Sequence, residues 1–161
     1  MGQFQIRVEK EQSVFSAGHF ITYDGHKCEP LHGHNYRVAV QLSGPLDENA
    51  YVFDFTRIKE LVKKIVDELD HRMLLPARSE RIHVATEGDR VTASYKDKQY
   101  VFPRSDVVLL PIPNTTAEML AQWIAGRLKE ALDPTSRRAL TALDVEVEES
   151  FGQRAIYHED A

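Results

Sequence analysis

Between residues 32 and 42 the sequence alternates so strictly that a strand with one buried face is its natural form. Tyr36, Val38, Val40 and Leu42 fall on one side, and Arg37, Ala39 and Gln41 on the other. Carrying the same period of two backwards reaches His34 and His32, so both imidazoles leave the strand in one direction. Two histidines at this spacing present the convergent nitrogens that a small divalent ion needs, and Gly33 between them leaves the opposite face unobstructed. From the pair alone, two ordinary hydrogen-bonded histidines are an equal reading. A third donor is required, and His19 has the best claim. It ends the run Phe15-Ser16-Ala17-Gly18-His19, which an antiparallel neighbour would bring beside the pair. Three neutral imidazoles leave the fourth tetrahedral position of a zinc ion open to water or substrate, a catalytic rather than a structural arrangement.

The rest of the chain supplies a frame for such a strand. Phe4, Ile6 and Val8 share one alternation phase while Phe15, Ala17 and His19 share the other, which predicts a β-bulge between Glu9 and Ser13. Ile58, Leu61, Val62, Ile65, Val66 and Leu69 mark one face of a helix that Asp54 or Thr56 caps and that stops at Asp70-His71. Thr115-Thr116-Ala117-Glu118 has capping-box spacing and opens a second helix through Leu120, Ala121, Ile124, Leu128 and Leu132, ended by Asp133-Pro134. Leu143, Val145 and Val147 alternate in a late strand whose phase puts Glu149 on the apolar side. A one-residue slip would put Glu148 there instead. Between the helices, short β-like runs at 82–85, 90–95 and 99–102 suggest a protruding hairpin. The order is two strands, helix, insertion, helix, two strands: an α+β chain, read as one domain over residues 1–161 with an insertion at about 77–110.

Composition narrows the function classes. Lys and Arg total 20 against 25 Asp and Glu, a net charge of −5, so there is no global basic footprint for nucleic acid, and an anionic substrate would need a local basic pocket. The single cysteine, Cys28, excludes an intrachain disulfide and fits a reducing compartment. No run approaches membrane-spanning length, and a cytoplasmic location without membrane attachment is the expectation. His26, His83 and His158 stand outside any comparable constellation and read as ordinary loop or surface histidines.

Taken together, His19, Cys28, His32-Gly33-His34-Asn35-Tyr36, Asp54-Phe55, Leu69-Asp70-His71 and Thr115-Thr116-Ala117-Glu118 resemble the 6-pyruvoyltetrahydropterin synthase and 6-carboxytetrahydropterin synthase family. The resemblance spans residues 15–75 and 113–157; only residues 77–110 look foreign. It implies the tunnelling fold, a four-stranded antiparallel sheet with two helices on one face. Subunits of that fold join in a ring, a trimer or a hexamer of stacked trimers, with sites completed across subunit interfaces. It also implies a zinc-dependent lyase acting on 7,8-dihydroneopterin triphosphate, with His19, His32 and His34 holding Zn2+. By the same resemblance Cys28 is the candidate base and Asp70 with His71 the proton relay. Glu149 is the carboxylate that grips the pterin's guanidine-like edge, and Thr115 and Thr116 belong to the substrate site. A silent metal- or pterin-binding module on the same scaffold is the alternative from another class.

The segment Cys28-Glu29-Pro30-Leu31-His32-Gly33-His34 satisfies two family patterns at once. Cys-x-x-x-His-Gly-His resembles the 6-carboxytetrahydropterin synthases. Glu-x-x-His-Gly-His resembles members that cleave the side chain like a dihydroneopterin aldolase, giving 6-hydroxymethyldihydropterin. The longer spacing of the animal-type pyruvoyl enzymes is not matched. Adjacent residues of an extended segment point to opposite sides, so only one of Cys28 and Glu29 reaches the substrate unless the chain turns at Pro30. Cys28 is the favoured base and Glu29 the second candidate.

Overall fold

The computed structural model describes residues 3–160. Strand β1 (Phe4–His19) pairs antiparallel with β4 (His32–Gly44), and two short strands, β2 (Thr22–Tyr23) and β3 (Lys27–Cys28), form a hairpin in the connection between them. The register of β1 on β4 slips between Glu9 and Val14, within the stretch where the apolar phase changes. The slip brings Val8 and Phe15 both to the buried side, and Phe15 stacks on Tyr36 with ring centroids 4.8 Å apart.

Helix α1 (Phe55–Leu69) starts where Asp54 accepts hydrogen bonds from the Thr56 and Arg57 amides at 2.6 and 3.2 Å, so Asp54 rather than Thr56 is the cap. After α1 come β5 (Arg72–Pro76), then β6 (His83–Glu87), β7 (Arg90–Tyr95) and β8 (Lys98–Pro103), and then β9 (Val107–Leu110). Helix α2 (Ala117–Ala131) is capped by Thr116, whose hydroxyl accepts from the Met119 amide. Asp133-Pro134 ends it but also starts a further short helix, α3 (Pro134–Ala139), with Pro at its first position and Asp133 capping Thr135 and Ser136. Strands β10 (Ala142–Ser150) and β11 (Gln153–Asp160) finish the chain.

The main sheet runs β11-β10-β4-β1-β5-β9. Its first four strands are the expected antiparallel set, and β5 and β9 extend it in parallel. Those two added strands are short and nearly continuous in apolar residues, Met73-Leu74-Leu75 and Val107-Val108-Leu109-Leu110, so they carry no alternation to mark them. Helix α1 packs on β1, and α2 on β10 and β11, burying Leu69, Leu120, Ile124 and Leu128 against Tyr36, Val38, Val145 and Val147.

Residues 83–103 form three strands where the sequence suggests a hairpin. Two-residue turns at 88–89 and 96–97 join β6, β7 and β8 in one antiparallel meander. Val91, Ala93 and Tyr95 of β7 pack with Phe20, Met73, Leu75, Ile82 and Val107 in a second apolar cluster. The meander is thereby rooted beside the segment that follows His19.

Candidate metal centre

The β1–β4 register sets His19 opposite His32 and Ala17 opposite His34. Donor nitrogens of the three histidines all lie within 4.8 Å of one another. His19 Nδ1 is 2.8 Å from the Thr115 carbonyl and His32 Nδ1 is 2.7 Å from the Pro30 carbonyl. A carbonyl only accepts, so each Nδ1 carries the proton and each Nε2 keeps its lone pair. The Nε2 atoms of His19 and His34 are buried without a hydrogen-bond partner. Orphaned buried polar atoms are uncommon in folded proteins, and two on converging rings suit a cation with imidazole affinity. Burial lowers the His19 pKa to about 4; the Thr115 bond opposes this, and the charges of His32 and His34 add to it. His19 is therefore neutral at pH 7, the state a metal ligand requires.

A Cβ at Gly33 would lie 3.0 Å from the Ala17 carbonyl oxygen, so the glycine admits the close approach of β1, and it also lines an open groove together with Ser16 and Asn35.

Two carboxylates flank the imidazoles. Glu149 Oε1 is 3.5 Å from His34 Nε2, and Glu29 Oε2 is 3.7 Å from His32 Nε2. The β10–β11 register shifts between Glu148 and Ser150, so Glu149 sits at the irregularity with its side chain beside the metal-facing residues. Glu148 is instead paired with Arg154 at 2.6 Å. Tyr36, in phase with His34 and His32 along β4, also reaches the cluster. Its hydroxyl lies 3.2 Å from His19 Nδ1, and burial, followed by the charges of Glu149 and Glu29, pushes the phenol well above its usual range.

Cys28 behaves differently from its neighbour. It packs against the second apolar cluster, and its Sγ is 3.5 Å from the Glu29 carbonyl. Burial raises the thiol pKa; Lys98 opposes the rise and the Glu29 charge adds to it. Thr115 is fully buried and meets His19 through its backbone carbonyl, while its hydroxyl has no hydrogen-bond partner, and the Thr116 hydroxyl caps α2.

The Asp70–His71 pair forms because the chain leaves the helix where the pair needs it to. Asp70 is the C-terminal cap of α1, and His71 takes φ +54°, which turns its Nδ1 to 2.9 Å from Asp70 Oδ2. Asp70 Oδ1 accepts from the Ser16 amide at 2.8 Å, and the His71 amide donates to the Ser16 carbonyl at 2.7 Å. The Ser16 N–H, with help from His71, holds the Asp70 carboxyl below its ordinary range against some burial. The His71 side chain is 82% exposed and lines an open groove of about 530 Å³ with Ser16, Asn35, Arg72 and the edge of His34.

The 6-pyruvoyl tetrahydropterin synthase family model matches residues 7–160. A Methanocaldococcus jannaschii protein provisionally named 6-carboxy-5,6,7,8-tetrahydropterin synthase is 38% identical over 145 residues, 89% of this chain and 88% of its own. A Haemophilus influenzae protein of the same name, without the reservation, is 35% identical, covering 77% of this chain and 82% of its own. Among solved structures, a Plasmodium vivax 6-pyruvoyltetrahydropterin synthase superposes with a TM-score of 0.93 at 32% identity, covering both chains in full. In it, a glutamate described as a catalytic residue is replaced by alanine. Three imidazoles on two paired strands agree with that match over nearly the whole length, and the chain belongs to the 6-pyruvoyl tetrahydropterin synthase family.

Proposed function

We propose that this chain is a zinc-dependent lyase that remodels the side chain of 7,8-dihydroneopterin triphosphate and forms 6-carboxytetrahydropterin. The observation that carries the reading is the cluster of His19, His32 and His34, in which the Nε2 atoms of His19 and His34 are buried without a partner, bordered by Glu29 and Glu149. Bound there, zinc supplies a Lewis acid and template for the substrate's side-chain hydroxyls. Glu149 accepts two N–H bonds from the guanidine-like edge of the pterin, as a carboxylate does from an arginine fork, and so fixes the ring relative to the histidines. Cys28 removes a proton from the side chain, and His71, oriented by Asp70, relays protons to and from the substrate. The assembly is a homo-oligomer, a trimer or hexamer in the cytoplasm, whose subunits share sites. Mass spectrometry of the product tests the reading, because carboxytetrahydropterin, pyruvoyltetrahydropterin and hydroxymethyldihydropterin differ in mass. Unchanged triphosphate after long incubation with zinc-loaded protein would overturn it.

A second reading rests on Glu29. Its carboxylate lies at the edge of the imidazole cluster, whereas Cys28 packs into apolar surroundings that disfavour its thiolate. The glutamate described as catalytic in the Plasmodium vivax structure supports the same residue type as base. With Glu29 as base the product is 6-hydroxymethyldihydropterin.

A further inference from the structure

The three-stranded insertion borders the His71 groove through Phe102, and its turn between β7 and β8 reaches the loop that carries both candidate bases. Tyr95 Oη donates to the His26 carbonyl at 2.5 Å, and Lys96 Nζ donates to the same oxygen at 3.0 Å. The Tyr95 ring is buried in the second apolar cluster, so packing rather than a flexible stem fixes where its hydroxyl points. Lys96 stands 5.3 Å from the Tyr95 ring centroid and adopts φ +52°, a conformation that a lysine takes up only where its surroundings favour it.

The clamped loop's own bonds are local and exposed: His26 Nδ1 donates to the Asp24 carbonyl at 2.6 Å and Lys27 Nζ to the Asp24 carboxylate at 2.9 Å. Strands β2 and β3 pair over only two residues each, around a turn at Asp24 and Gly25, and so short a hairpin has little stability alone. Its inner side is tied to the body of the protein through Asn114, whose side-chain amide donates to the Thr22 carbonyl at 2.9 Å, and by the Glu29 amide on the Ile21 carbonyl at 2.9 Å. The insertion supplies the outer side. Phe20, next to His19, rests on Tyr100 of β8 with centroids 5.0 Å apart, so both ends of the loop touch the same meander.

We infer that the insertion is a clamp on the 26–29 segment, with Tyr95 as the positioning residue that fixes Cys28 and Glu29 relative to His32. The kinetic part of this inference rests on the proposed lyase reading; the structural part does not. A loop displaced by an ångström loses rate without losing the substrate's anchor at Glu149, so kcat suffers and KM does not.

The test compares zinc-loaded wild type with Tyr95→Phe, which keeps the ring, and with Lys96→Ala, which removes an exposed side chain. Two quantities are read: steady-state turnover of dihydroneopterin triphosphate, and the rate at which iodoacetamide alkylates Cys28, the chain's one thiol. For Tyr95→Phe the expectation is kcat lower by about tenfold with KM within about twofold, unchanged zinc content and several-fold faster alkylation. Lys96→Ala shifts the same quantities in the same direction by less. Unaltered kcat and alkylation in both variants would overturn the clamp, as would a loss confined to KM. If wild type itself turns nothing over, the lyase reading fails, and the alkylation rates alone decide the clamp: faster in Tyr95→Phe supports it, equal refutes it.

Discussion

His19 differs from the two imidazoles it joins because it is 1% exposed, and that burial has a measurable consequence in the metal-free protein. Its folded pKa of about 4 lies below the ordinary 6.5, so between these values the unfolded chain binds more protons than the folded one. Stability therefore falls as pH drops from 6.5 toward 4, by about 3 kcal/mol if the whole shift is expressed. Urea midpoints in the presence of a chelator should decline over this range in wild type and decline less in His19→Gln; parallel curves would contradict the assignment. With zinc, about one equivalent per chain is expected, and replacing both His32 and His34 by Ala should abolish it in elemental analysis. At the neighbouring loop, the first reading expects Cys28→Ala to abolish carboxytetrahydropterin formation and Glu29→Ala to leave much of it. Hydroxymethyldihydropterin from Cys28→Ala, and no product from Glu29→Ala, would transfer the role to Glu29. The convergence of the three histidines was legible because a period of two fixes which way a strand residue points. The choice between Cys28 and Glu29 was not, because it depends on an apolar cluster assembled from Phe20, Met73, Val91 and Val107, residues distant in sequence.

Elements were legible where one face is polar. The face of α1 and the alternation of β4 each contrast buried with exposed positions, and Asp54 and Thr116 announce their helices through local hydrogen bonds. Strands β5 and β9 lack that contrast, and the role of β7 is set by what it packs against rather than by its own pattern. Asp54 illustrates a purely local contribution: one carboxylate oxygen satisfies two amides that the first helical turn leaves unpaired. Asp54→Ala should cost about 1 kcal/mol in chemical denaturation, and Asp54→Asn markedly less. Asp70 caps the far end of α1 and precedes His71, so turnover of the variant also reads whether fraying at the start of the helix reaches the proposed relay. Turnover of Asp54→Ala at low temperature, where it remains folded, is expected to match wild type.

At the scale of the whole molecule the sheet is left open in three places. Among the described residues, β11 and β9 each have a partner on one side only, and β1 meets β5 only at Ala17 and Gly18, which leaves most of its length unpaired on that side. Long open edges are templates for pairing with another chain, and Phe4 and Phe151 stand exposed near them. The Asp70–His71 pair, well defined in its own geometry, faces outward across an open groove with an 82% exposed imidazole. If this pair is the relay proposed above, an imidazole that exposed gains a low-dielectric setting only when a second subunit closes over it. Light scattering should then give a mass that is a multiple of three chains of 18.4 kDa, and a monodisperse monomer at working concentration would count against a shared site. The sharper measurement uses two inactive variants, His71→Ala and His34→Ala. If one subunit's histidine cluster works with another's relay, co-expressing the two in one cell assembles some sites with neither substitution, and part of the activity returns in the mixed oligomer. If each chain builds its site alone, every site in the mixture carries one defect, and the co-expressed protein stays as inactive as its parents.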